Sequence, residues 1–295
     1  MATIITDLKE TFRRGNIYIQ LIYINVAVFI LTTLTEVMFQ LFNRSIAGVF
    51  EWLELPASVL RFILQPWSLL TYMFMHAGFM HILFNMLWLY WFGALFLSFF
   101  SAKHLRGVYI LGGICGGLLY MAAYNIFPYF RPMTDYSFML GASASVLAIV
   151  AATYREPNYP IRLLLFGTIR LKYLALIVIG TDLLFITSSN AGGHIAHLGG
   201  ALAGVWFAAS LSKGSDLTSW INKCLDTLVS IVSFKPRKPK MKVHYGTGKQ
   251  KDYDYNARKK AQSDEIDRIL DKLKKSGYES LTTEEKKSLF DASKR

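Results

Sequence analysis

The sequence predicts an all-α polytopic membrane protein: a six-transmembrane-helix bundle with an amphipathic first loop and a small helical cytoplasmic tail. Three observations carry this. Of 295 residues, 53% are hydrophobic and 18% are charged, whereas soluble domains carry about a quarter charged. The mean hydropathy is +0.32. The charge is also segregated: residues 1–234 hold 14 Lys/Arg and 10 Asp/Glu, while residues 235–295 hold 18 and 10, so the tail supplies most of the net +12. Soluble enzymes, secreted disulfide scaffolds and disordered chains fit poorly. The two cysteines, Cys115 and Cys224, suggest neither a disulfide framework nor a metal knuckle.

The elements follow in order. Crossing ~30 Å of hydrocarbon at 1.5 Å per residue takes about 20 apolar residues. Six segments are predicted to do so: Ile17–Phe39, Met80–Phe100, Leu105–Phe127, Tyr136–Tyr154, Tyr173–Ser188 and Gly193–Leu211. The first is read as an uncleaved span, because its apolar run is long and has no clear cleavage site. Leu41–Trp67 is amphipathic and is expected to lie half in the outer leaflet. Ile161–Lys172 is expected to be interfacial. So is Leu217–Phe234, where Trp220, Ile221, Cys224, Leu225 and Leu228 recur at helical spacing.

Positive charges in short loops set the orientation. With a cytoplasmic N-terminus, nine Lys/Arg face inside (Lys9, Arg13, Arg14, Lys103, Arg106, Arg155, Arg162, Arg170, Lys172). Three face outside (Arg44, Arg61, Arg131). Both termini are expected inside, in a bacterial plasma (inner) membrane. The organisation read from this is a membrane core over residues 1–213, an interfacial helix over 214–234, a basic linker over 235–262 and a helical hairpin over 263–295. In the hairpin, Ser263 is the expected N-cap, Ile266, Leu270 and Leu273 the apolar stripe, and Gly277 the stop. Thr282 and Glu285 have capping-box spacing. The tail reads equally as a lipid-attracted solubilising segment or as a docking module.

Polar groups inside the hydrocarbon are expensive, so each needs a reason. The second span opens with His76, His81 and Asn85, the fourth contains Ser143 and Ser145, and the sixth opens with His194 and His197. All three spans start at the outer face. Ser143 is expected about seven residues into its helix and His197 about four, which puts the clusters at one depth. Small residues let the helices close on each other. These are Gly112, Gly113, Gly116 and Gly117 on the third span, Gly141 before Ser143, and Gly200 and Gly204 on the sixth. The chemistry this suggests is a Ser143 nucleophile with a histidine of the sixth span as base. Asn85, His81 and the Ser143 N–H would hold an oxyanion. The base is assigned to His197, which shares a stripe with Gly200 and Gly204; His194 is expected at the water interface, doing nothing. Asp182 lies 15 residues before His197 on another span and is not counted as an orienting acid, which leaves a Ser–His dyad. Four histidines could instead bind a metal, but His76 and His81 do not share a helix face and no H-E-x-x-H is present.

At these residues the chain resembles the rhomboid intramembrane serine proteases. The resemblance runs from about Trp67 to Gly204. It rests on His76-x4-His81-x3-Asn85, Gly141-x-Ser143 and His197-x2-Gly200-x3-Gly204, in that order. It implies a six-helix core, a dyad of Ser143 and His197, an oxyanion site of Asn85 and His81, and a membrane-embedded first loop. It also implies transmembrane protein substrates, cut near a small residue. No cofactor, metal or nucleic acid is implied, and no feature specifies an oligomeric state. Ala144 stands where the family usually has Gly after the nucleophile. Leu147 stands where an aromatic often packs on the histidine, and Ser68 where Arg often follows Trp67. These departures motivate the alternative of an inactive relative that binds transmembrane helices. A transporter fits less well, because no polar path continues inward.

Overall fold

The computed structural model describes residues 6, 10–12, 14–163, 167–232 and 248–293. These fall into two compact units, one ending at Phe234 and the other beginning at Lys235.

The first unit opens with the long apolar helix α1 (Ile17–Leu41). The first loop is folded: α2 (Ala47–Phe50), strand β1 (Leu55–Pro56), α3 (Val59–Leu64), α4 (Ser68–Thr71) and a 3₁₀ turn over Tyr72–Phe74. Polar side chains tie it to its own backbone. Gln65 donates to the Glu51 and Glu54 carbonyls, Trp67 to Trp52 and Thr71 to Leu53. The Trp52 and Trp67 rings stack at 6.0 Å. Helices α5 (Phe79–Phe96) and α6 (Ala102–Ile126) follow, then strand β2 (Phe138–Met139), α7 (Ser143–Ala152), a hairpin of β3 (Pro160–Leu163) and β4 (Gly167–Arg170), α8 (Leu171–Leu184), α9 (Ala191–Ser212) and α10 (Ser219–Val232).

Four of these helices are long and apolar enough to cross a membrane: α1, α5, α6 and α9. Two expected spans are shorter than the sequence suggested, α7 at 10 residues and α8 at 14. The predicted fourth span began at Tyr136, but its first residues pair instead: β2 lies antiparallel to β1, with Leu55 opposite Met139 and Pro56 opposite Phe138. Gly141 then turns the chain at φ +128°, a conformation no helix can contain. Ser143 is therefore the first residue of its helix, not the seventh. Within Ile161–Lys172, expected to be interfacial, residues 161–163 pair antiparallel with 167–169, and α8 begins at Leu171. The core is thus mostly helical with two small ribbons, rather than all-α.

Small residues bring α6, α7 and α9 together. A Cβ on Gly200 or Gly204 would collide with the carbonyls of Ala144 and Ala148 on α7, and one on Gly112 with the Ala148 methyl. One on Gly116 would lie 2.7 Å from Ala144 Cβ and 2.8 Å from the Ala196 carbonyl. The two glycine rows of α6 serve different partners. Gly112 and Gly116 receive α7 and α9, while Gly113 and Gly117 receive Met73, Leu55 and Leu69 of the first loop. Helix α10 docks on the start of α6: Arg106 donates to Asn222 and pairs with Asp226 at 2.8 Å, and Ile221 is buried.

In the second unit, α11 spans Gly248–Ser276 and α12 spans Thr283–Ser293. Residues 248–262, expected as linker, are helical, and Ser263 lies inside α11 rather than capping it. The stretch lacks an apolar stripe. It is nevertheless rich in helix formers, and its Asp254/Arg258 and Asp264/Arg268 spacings favour helix on their own. The seam is also shifted. Ile269 and Leu281 are buried, whereas Leu270 is 44% exposed. Gly277 stops the helix at φ +79°, and the capping box forms: Glu285 N–H donates to Thr282 Oγ1 at 3.2 Å and Thr282 N–H to Glu285 Oε2 at 2.9 Å.

Candidate active site

Ser143, His81, Asn85 and His197 line one cavity of about 910 Å³. Its lining includes Met80, Phe84 and Trp88 of α5, Ile177, Val178 and Thr181 of α8, Met139 of β2, Leu140, and Val146 and Leu147 of α7. Ser145, the other serine of this stretch, is 1% exposed and is not part of the lining.

Several contacts hold Ser143 in place. Gly141 N–H donates to the Tyr72 carbonyl at 2.9 Å, and Tyr72 Oη donates to the Gly113 carbonyl at 2.6 Å. The β1–β2 ribbon fixes the strand just before it. A Cβ on Gly141 would lie 2.9 Å from His81 Cε1 and Nε2, so glycine is required there by close approach as well as by φ. Because Ser143 opens α7, the first N–H groups of that helix have no intrahelical partner and the positive end of its dipole lies at the hydroxyl.

Two side chains of α5 face the same place. Ala77 N–H donates to His81 Nδ1 at 3.4 Å, so the ring proton sits on Nε2, the atom beside Gly141. Asn85 is 7% exposed and spends one amide hydrogen on the His81 carbonyl at 2.8 Å. The other hydrogen remains for the cavity. His76 packs edge-on to His81 at 5.2 Å between centroids.

Two sequence-based expectations fail on α8 and α9. Asp182 is 4% exposed, and its Oδ1 lies 2.8 Å from His194 Nδ1 and 2.9 Å from His197 Nδ1. An acid does stand beside His197. Nor is His194 idle at the interface, since it shares that carboxylate oxygen. Sequence separation hid this, because the turn between α8 and α9 folds the end of one helix against the start of the next. An acidic residue inside an apolar span was itself the available signal. Of the two histidines, only His197 lines the cavity with Ser143. Ser143 and His197 share this cavity, and no hydrogen bond joins them among the described residues.

The fold and site together define a polytopic membrane protein with a serine, two histidines and an amide around an apolar cleft. The chain belongs to the rhomboid family: a family model described as the rhomboid domain matches residues 64–214. Residues 249–295 match a family of unknown function, DUF6576. RHOMBOID-like protein 12, mitochondrial, from Arabidopsis thaliana, is 30% identical over 157 residues, which is 50% of this chain. The chain spans about half, 47%, of that relative's length.

Proposed function

We propose that this rhomboid protein is an intramembrane serine endopeptidase that cleaves transmembrane segments of other membrane proteins. The reading is carried by one observation: Ser143, at the N-terminus of α7, opens into the same apolar cavity as His197, His81 and Asn85. An unwound apolar segment suits walls built from Met80, Phe84, Trp88, Ile177 and Val178.

In this reading His197 Nε2 takes the Ser143 proton as Oγ attacks the scissile carbonyl. The resulting oxyanion is held by Asn85 Nδ2, His81 Nε2 and the Ser143 N–H. His197 then gives the proton to the departing amine, leaving an acyl-enzyme on Ser143, and water attacks that ester by the reverse route. Partners are transmembrane protein substrates and the lipid bilayer, with both termini of the chain in the cytoplasm and the cavity towards the outer face.

The alternative, a non-cleaving relative that binds transmembrane helices, draws on Ala144 and on the absence of a Ser143–His197 hydrogen bond. Ala144 is 2% exposed and packs against Gly116 and Gly200, so its methyl fits where it stands. The deciding experiment incubates detergent-solubilised protein with a model transmembrane substrate, wild type beside Ser143→Ala. Cleavage by the wild type alone is expected, along with fluorophosphonate labelling at Ser143. Equal cleavage by both proteins, or none by either, leaves the binding reading.

A further inference from the structure

Asp182 is an acid in apolar surroundings. It is buried to 4% exposure within an apolar helix. It occupies the last turn of α8, the negative end of that helix's dipole. Its Oδ2 is buried and has no partner among the described residues. What compensates it is confined to Oδ1, which accepts from His194 Nδ1 at 2.8 Å and His197 Nδ1 at 2.9 Å. Held as a carboxylate, Asp182 can only accept, and both imidazoles then carry hydrogen on Nδ1. For His197 this leaves a lone pair on Nε2, the atom a base for Ser143 would use.

We propose that Asp182 is a positioning residue for the base: its carboxylate fixes His197 in the Nδ1–H tautomer and balances the positive charge that ring gains when it takes the Ser143 proton. This deepens the protease reading and rests on it. The site is then three-membered, Ser143, His197 and Asp182, with His194 holding the carboxylate from the other side. The same three groups, Asp182, His194 and His197, could in principle ligate a metal. Their spacing favours hydrogen bonds. Ligand atoms at ~2.0–2.1 Å from a tetrahedral zinc stand about 3.3 Å apart, whereas the N···O separations here are 2.8 and 2.9 Å. The other titratable groups lining the cavity with Asp182 and His197 are His81 on α5 and Tyr120 and Tyr124 on α6.

The test uses the full chain in detergent with wild type, Asp182→Asn, Asp182→Glu and Ser143→Ala. Turnover is measured on a model transmembrane substrate. End-point fluorophosphonate labelling counts folded sites, and the labelling rate reports Ser143 activation. Asp182→Asn is expected to lower kcat by up to about 10⁴-fold, the loss seen when the acid that orients a catalytic histidine becomes an amide. KM should stay within threefold, end-point labelling should be complete and the labelling rate should fall with kcat; Asp182→Glu should recover part of the loss. A readout independent of cleavage is ¹⁵N-histidine NMR, assigned with His194→Gln and His197→Gln. His197 should be Nδ1–H in the wild type and lose that preference in Asp182→Asn. An unchanged tautomer, an unchanged kcat, or a loss accounted for entirely by fewer labelled sites overturns the proposal. So does inhibition of the wild type by chelator that zinc reverses. Cleavage by Ser143→Ala at the wild-type rate would sink the protease reading alone, since the tautomer measurement stands without it.

Discussion

Asn85 illustrates how much one side chain can decide. Its amide has two hydrogens, and the His81 carbonyl uses one of them at 2.8 Å. The second is free to donate to an oxyanion while the first locks the rotamer. Removing one such donor costs about 3 kcal/mol, or roughly a hundredfold in kcat. Asn85→Ala is therefore expected to cut turnover about a hundredfold, against near-complete loss in Ser143→Ala, because His81 and the helix N–H remain. Initial rates on a single transmembrane substrate check this, and a wild-type rate would remove Asn85 from the site. Gly141 is constrained differently. Its positive φ and the nearby His81 ring leave no room for a methyl, so this residue shapes the site without touching the chemistry.

Among the elements, α7 is clamped by the carbonyl contacts of Gly200 and Gly204 on one side and by Gly112 and Gly116 on the other. The obstacle at Gly204 is a backbone carbonyl, which no rotamer change can move aside. Gly204→Leu should push α9 away from α7 and destabilise the fold by about 1–3 kcal/mol or more, and it should separate His197 from Ser143. The expected result is a lower thermal midpoint in detergent together with lost fluorophosphonate labelling. Retention of both would refute the clamp. In the tail, hydrogen bonds from Lys272 and then from the Thr282 N–H hold the Glu285 carboxyl below its ordinary range. A carboxylate depressed on folding stabilises the fold above its unfolded pKa, and that stabilisation fades as pH falls through the folded value. Amide exchange at Thr282 should therefore accelerate, relative to the intrinsic rate, only in strongly acidic solution, and Glu285→Gln should abolish that step.

For the molecule as a whole, every candidate catalytic group lies between His81 and His197, and Phe234 closes the unit that holds them. Truncation before Lys235 is expected to leave detergent-phase turnover within about twofold of the full chain. A folded but inactive truncation, judged by its thermal midpoint, would make the tail part of the catalytic unit. The tail's matched family has no assigned role, so its contribution is best sought in cells rather than in the purified reaction.

The apolar runs and the ordered His81, Asn85, Ser143 and His197 were enough to point to a membrane protein of the rhomboid family and to name its polar residues. Both follow from costs that act locally: burying polar groups in hydrocarbon, and packing helices through glycine. The sequence also carried the two glycine rows of α6, but not their assignment, one to α7 and α9 and the other to the first loop. Tertiary structure alone decided that Ser143 begins a helix, because residues 138–139 prefer strand pairing with residues 55–56, partners 82 and 84 positions away. It alone placed Asp182 against His194 and His197, because sequence distance says nothing about which helix ends a turn brings together.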